Sequence, residues 1–209
     1  MFEAMIKSAA DYYSGKVERY GPTPRGVDWN SAESQALRFR QLLRVCESNQ
    51  SFSLNDYGCG YGALLHFLRE HSSPCEYYGF DASDRMLREA EAFCSGISGA
   101  IFVNDKSQLQ RRDFTVASGI FNVRGEAPAS QWQEYVLATI DELDSVSSKG
   151  FSFNMLTSYS DPDKMRGDLF YGDPCFFFDY VKRKLSKNVY LLHDYGLYEF
   201  TVGVRKEMT

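Results

Sequence analysis

Between residues 52 and 156 short apolar runs alternate with stretches of helical periodicity, and this rhythm limits the fold more than any other feature. F-S-L-N at 52–55, Y-Y-G-F at 77–80, A-I-F-V at 100–103, F-T-V-A-S-G-I-F at 114–121 and F-S-F-N-M-L at 151–156 read as strands. Between them, 62–71 carries Leu64, Leu65, Phe67 and Leu68 at helical spacing. Residues 83–94 carry Met86, Leu87, Ala90 and Phe93, and 130–147 reads as a long helix. Strand followed by helix, repeated, predicts a mostly parallel sheet covered on both faces.

The two ends depart from that rhythm. Residues 1–14 form a short helical pattern from Phe2, Met5, Ile6, Ala9 and Tyr13. A loop at 20–30, with two prolines and two glycines, excludes regular structure there. Asn30 reads as a helix cap with Glu33 three residues on, opening a helix that ends near Asn49. Residues 157–173 are polar, Gly/Pro-punctuated and long for a connection, as binding loops and lids often are. A helix at 174–187 follows, then two strands at 189–194 and 197–204. The Tyr195-Gly196 link is too short for a parallel crossover, so these two strands are antiparallel.

Composition narrows the class. A chain of 209 residues with 44% hydrophobic and 24% charged residues has the makings of one globular domain. Net charge is −5, so no broad basic face is available for a nucleic-acid backbone. The cysteines at 46, 59, 75, 94 and 175 show no C-x-x-C spacing and only three His accompany them, which argues against zinc or another metal. No apolar stretch is long enough to span a membrane, and the N-terminus lacks a signal-peptide core. The expected location is the cytoplasm, with the cysteines as thiols.

The stretch L-N-D-Y-G-C-G-Y-G at 54–62 places glycines at alternate positions straight after the first strand of the sheet. In an open parallel sheet, ligands bind at the carboxyl ends of strands. A glycine turn there lets a nucleotide-like ligand touch backbone. The other reading is a tight turn needing positive φ; because one glycine would satisfy it, the ligand reading is preferred. Asp81 ends the second strand, where a carboxylate can accept from both hydroxyls of a ribose. NAD and S-adenosylmethionine (SAM) both carry that ribose. The loop is Gly58-x-Gly60-x-Gly62 rather than G-x-G-x-x-G, and Asp56 before it suits an ammonium better than a pyrophosphate.

D-Y-G-C-G-Y-G at 56–62 resembles motif I of the class I SAM-dependent methyltransferases. F-D-A-S at 80–83, F-V-N-D at 102–105 and D-F-T-V-A-S-G-I-F-N at 113–122 resemble their next three strand-end motifs. The resemblance covers about 50–205, and G-V-D-W-N-S-A-E-S-Q at 26–35 is similar to the N-terminal region of small-molecule-type bacterial members. It implies a three-layer α-β-α Rossmann-like fold with a seven-stranded, mostly parallel sheet whose last strand is antiparallel. The whole of 1–209 would be one domain: a helical cap at 1–49, a cofactor core at 50–156, an insertion loop at 157–173 and closing elements at 174–209.

Carried onto this sequence, the resemblance gives Asp56, Cys59 and the amides near Gly58 and Gly60 to the methionine moiety, and Asp81 to the ribose. Ala82, Ser83 and Met86 would flank the adenine, with Asn104 or Asp105 on its amino group and Ser118 near the sulfonium. Met86 reads equally as helix core, and Asn104-Asp105 equally as a turn. The N/D-P-P-Y signature of amino-methyltransferases is replaced by S-G-I-F-N-V at 118–123, which points away from planar nitrogen acceptors and towards oxygen. No convincing catalytic constellation is present; Asn122 and His193 are the candidates, each with an ordinary structural alternative. Tyr13, Arg25, Trp29, Arg38 and Tyr171 are the expected acceptor wall. The expected protein is a monomer or homodimer that methylates a small molecule. A non-catalytic SAM or S-adenosylhomocysteine (SAH) binder and an NAD-dependent oxidoreductase stand as alternatives.

Overall fold

The computed structural model describes residues 2–46 and 51–206. Its strands are β1 (Phe52–Tyr57), β2 (Cys75–Phe80), β3 (Ala100–Val103), β4 (Arg112–Ala117), β5 (Ser147–Leu156), β6 (Asn188–Leu192) and β7 (Glu199–Arg205). They form one sheet in the order β3-β2-β1-β4-β5-β7-β6. The pairs β1–β2, β1–β4, β2–β3 and β4–β5 are parallel, whereas β7 runs antiparallel to both β5 and β6. The mostly parallel sheet with a reversed last strand is thus the one expected. Connections diverge from β1 towards β2 on one side and β4 on the other, which opens a crevice at their carboxyl ends.

The helices are α1 (Glu3–Tyr20), α2 (Ala32–Leu43), α3 (Ala63–Glu70), α4 (Asp84–Phe93), α5 (Ala129–Ser145) and α6 (Pro174–Lys184). Two apolar clusters hold them to the sheet. On one face Trp132, Val136 and Ile140 of α5 and Phe177 of α6 meet Phe151, Phe153 and Met155 of β5. On the other, Phe39 and Leu42 of α2, Leu64 and Leu65 of α3 and Leu87 of α4 meet Leu54, Tyr77 and Val116. The alternate residues of β5 face that second layer, where the Ser152 hydroxyl donates to the carbonyl of Leu42 (2.8 Å).

Several boundaries differ from the sequence expectation, each for a local reason. Helix α1 continues to Tyr20, where Gly21 at φ +67° terminates it. The 20–30 loop holds one 3-10 turn, Pro24–Val27, entered through a proline whose fixed φ is compatible with it. Ser31 rather than Asn30 caps α2: its hydroxyl accepts from the Ser34 amide while Ser34 Oγ accepts from the Ser31 amide. The expected helix end near Asn49 lies outside the described residues. Strand β4 stops at Ala117 because Gly119 turns the chain at φ +72°. Helix α5 stops at Ser145, and the Ser147 hydroxyl bonds back to the carbonyl of Leu143 (2.6 Å) as β5 begins. The 157–173 segment is tied down by a 3-10 turn at Pro162–Lys164 and by single bridges Val123–Leu169 and Thr157–Gly172. Among the described residues no helix is long and apolar enough to cross a membrane.

Candidate functional site

The glycine loop leaves β1 with all three glycines in left-handed backbone: φ is +82° at Gly58, +54° at Gly60 and +83° at Gly62. A Cβ at Gly58 would lie 2.2 Å from Ile120 Cγ2, and one at Gly62 2.7 Å from Cys94 Sγ. Turn geometry therefore requires glycine at all three positions, so the tight-turn reading holds alongside the ligand reading. Gly58 and Gly60 also line a cavity; Gly62 does not. The loop amides are bonded within the protein. Gly58 N and Cys59 N donate to Phe80 O (2.7 and 2.9 Å), and Gly60 N donates to Asp81 Oδ2 (2.9 Å). The amides of Gly58, Cys59 and Gly60 thus already have partners within the protein. What the loop offers a ligand is close approach without side chains.

The cavity has a volume of about 470 Å³ and lies at the carboxyl ends of β1, β2, β3 and β4. Asp81, Ala82, Met86, Asn104, Asp105 and Ser118 all line it. Asp81 accepts from the Ser83 amide on Oδ1 and from the Gly60 amide on Oδ2 (both 2.9 Å), so each oxygen retains one lone pair. Burial pushes its carboxyl up to about 6 against the pull of those two amides. Met86 is both cavity wall and buried helix face. Asn104 donates to Asp84 (2.8 Å) and Asp105 caps a 3-10 turn at Ser107 (2.8 Å), so the turn reading of this pair holds alongside its place at the cavity. Ser83 is corrected: it caps α4 at the Met86 amide (3.1 Å), bonds to Ser14 of α1 (2.7 Å), and does not line the cavity.

A recess of about 40 Å³ adjoins the cavity, and Asp56, Cys59 and Ser118 face it. Ser118 Oγ is buried without a hydrogen-bond partner, and Ser118 lines both the cavity and the recess. Asp56 is 2% exposed and accepts from the Tyr77 hydroxyl at 2.6 Å. Burial pushes its carboxyl up to about 7. The Cys59 thiol packs against Gly79, and burial raises it well above its usual range.

A second cavity of about 460 Å³ shares Tyr13, Val27 and Trp29 with the first. Arg38 and Tyr171, two of the residues expected in an acceptor wall, line it, and so does the catalytic candidate Asn122. The Arg38 guanidinium is committed to the buried carboxylate of Glu199 (2.7 Å). Arg25 lines neither cavity and stacks 4.6 Å over the ring of Tyr20. His193 also lies outside both, with its ring against Tyr159 and Phe200. Across the second cavity, Asp28 joins α1 to the 157–173 loop, bonding Tyr12 (2.7 Å) and Lys16 (2.6 Å) and pairing with Arg166 (3.5 Å). Glu199 and Asp28 escaped the sequence reading. For Glu199 a signal existed, a lone carboxylate inside the apolar run L-Y-E-F-T-V.

No protein-family model matches the chain. A curated protein of Mycobacterium tuberculosis (strain ATCC 25618 / H37Rv), named "Putative methyltransferase Rv1506c", is 49% identical over 164 residues, 78% of this chain and 99% of the relative. The chain belongs to the methyltransferase family. That membership sets aside the NAD-dependent oxidoreductase reading. The fold of this methyltransferase is the class I, Rossmann-like one, as two solved structures show. The N-methyltransferase NodS from Bradyrhizobium japonicum WM9 in complex with SAH matches with TM-score 0.66 and 15% identity over 96% of this chain and 99% of NodS. Magnesium protoporphyrin IX methyltransferase from Synechocystis PCC 6803 with bound SAM matches with TM-score 0.57 and 14% identity over 84% of this chain and 77% of that one.

Proposed function

We propose that this methyltransferase moves a methyl group from SAM to an oxygen of a small-molecule acceptor. The observation that carries the reading is the meeting of two cavities, of about 470 and 460 Å³, at Tyr13, Val27 and Trp29. Volumes in this range suit one small ligand each. SAM supplies a methyl group already activated on a sulfonium. In this reading Asp81 accepts from the ribose hydroxyls, Ala82 and Met86 pack on the adenine, and Asn104 or Asp105 meets its amino group. Ser118 and Asp56 serve the polar amino-acid end; the partnerless Ser118 hydroxyl is the feature that fits such a ligand best.

The protein's own contribution is alignment and exclusion of water. Residues of helix α1 and the 24–31 segment line the junction, and Trp29 forms part of the wall of both cavities. Proximity and orientation of this kind can supply roughly 7–11 kcal/mol of a bimolecular barrier. The reading takes 1–209 as one cytoplasmic domain, with 1–49 as a cap over the cofactor core. Native mass spectrometry of the purified chain with SAM, SAH and NAD⁺ in competition tests it. Retention of SAM or SAH is the expected result. Retention of NAD⁺, or of no nucleotide, overturns it.

A further inference from the structure

The second cavity also restricts what the acceptor is, an inference that rests on the function proposed above. Its walls join apolar and aromatic residues, among them Val27, Trp29, Leu156, Leu169 and Tyr171, to polar and charged ones such as Asn122 and Lys164. Both of its carboxylates are occupied. Asp28 bonds Tyr12 and pairs with Lys16, and Glu199 accepts from Arg38 and Asn154. No histidine is among the described residues that line it. The charged groups of its lining with exposed heads are cations, Lys164 and Arg166. Asn122 Oδ1 accepts from the Leu156 amide (3.1 Å), which turns its Nδ2 donor away from that bond. Lys164 lines the cavity, and its ion-pair partner is the adjacent Asp163, with both side chains at least 60% exposed. A surface pair of that kind is worth about 0–1 kcal/mol, so the ammonium exchanges partners at little cost.

We infer that the acceptor is a small carboxylic acid with an apolar body, methylated on its carboxylate oxygen. An amine would arrive as an ammonium in a cavity with no open carboxylate to receive it or its proton. An alcohol would need a base that the cavity does not offer. A carboxyl group titrates near ~4 and is already ionised at neutral pH. It needs no base and finds an amide N–H and an ammonium. An oxygen lone pair forms the new O–C bond while the C–S bond breaks with its electrons moving to sulfur. Carboxylate and sulfonium become neutral ester and neutral thioether, with no proton left to remove.

The test uses the full chain and titration calorimetry. SAH is titrated first; failure to bind at this step overturns the proposed function, and this inference with it. The SAH-saturated protein is then offered phenylacetate, cinnamate and octanoate, each against the alcohol and the amine of the same skeleton. The expected result is an acid that binds at least about tenfold more tightly than its alcohol or amine, the scale of a charge-assisted hydrogen bond. Lys164→Gln should weaken that acid several-fold and leave the matched alcohol unchanged, and with SAM the methyl ester should appear by mass spectrometry. If SAH binds but no acid outcompetes its alcohol and amine, or if Lys164→Gln leaves the preference for the acid intact, the inference falls while the function stands.

Discussion

The guanidinium of Arg38 pairs with Glu199 at 2.7 Å and lies 3.9 Å from the centre of the Trp29 ring. The pair is buried, at 8% and 0% side-chain exposure. Glu199 Oε2 also accepts from Asn154 Nδ2 (3.0 Å), and Asn154 Oδ1 accepts from the Gly119 amide (2.7 Å). A polar chain thus runs from α2 through β7 and β5 to the turn that ends β4. It presses Trp29 over Gly119, where a Cβ would lie 2.5 Å from the indole. Arg38→Ala leaves a buried carboxylate without its cation, a change that costs roughly 3–5 kcal/mol. Urea unfolding should show that loss. The double variant Arg38→Met, Glu199→Gln keeps the Asn154 contact without a lone charge and should recover much of it. A single variant within about 0.5 kcal/mol of the parent, as for a surface site, would count against the pair.

The strand-helix rhythm made the sheet legible because parallel strands buried on both faces are written as compact apolar runs. The reversed last strand was legible too, since the link at 195–196 leaves no room for a crossover. Asp81 and Ser118 were legible as cavity-lining positions because strand ends border the crevice at a switch point. Residues whose role depends on long-range partners could not be read this way. Arg38 was expected in the acceptor wall, and only the fold shows that β7 brings Glu199 to it from 161 residues away. Ser83 looked like a cofactor contact, but its hydroxyl is taken by the α4 cap and Ser14. The alternating glycines serve two demands: each has positive φ, Ile120 and Cys94 pack where side chains of Gly58 and Gly62 would go, and Gly58 and Gly60 also line the cavity.

In the proposed function Asp81 holds the ribose, a role its amide could not fill without loss. Each carboxylate oxygen already holds one backbone amide. An asparagine offers one oxygen and would turn an NH₂ towards either the Gly60 or the Ser83 N–H. Asp81→Asn should weaken SAH binding by at least about 1.5 kcal/mol, the scale for hydrogen bonds to a charged group. Titration calorimetry reads this directly, and unchanged affinity would remove the ribose role from Asp81.

Two buried carboxyls make stability depend on pH in a direction opposite to the usual acid denaturation. Burial raises Asp56 to about 7 and Asp81 to about 6. In the unfolded chain both titrate near ~3.9. Between these values the folded protein binds more protons, so the two groups make stability fall as pH rises through the window. Without ligand, the thermal midpoint should drop from about pH 5 to about pH 8. Asp56→Asn keeps an acceptor for the Tyr77 hydroxyl and removes one of the two titrations. Its profile should be flatter and its midpoint higher than the parent's at about pH 8. A slope equal to the parent's in scanning calorimetry would show that Asp56 does not titrate in this range. SAH affinity should move the other way, rising with pH as Asp81 ionises.

Gly62 separates the demands of the turn from the demands of the ligand, because it has the loop's geometry but no place at the cavity. At φ +83° any side chain costs about 1–2 kcal/mol in backbone conformation alone. The Cβ of Gly62→Ala would also lie 2.7 Å from Cys94 Sγ. Urea unfolding should show a loss above the backbone figure. Cys94→Ala in the same chain clears the sulfur and should return the steric part, leaving the conformational part in place. Because the loop's cavity-facing atoms belong to Gly58 and Gly60, the folded Gly62→Ala protein should bind SAH as the parent does. Loss of affinity without loss of stability would reverse the assignment, making Gly62 a ligand-contact residue and restoring the close-approach reading of the third glycine.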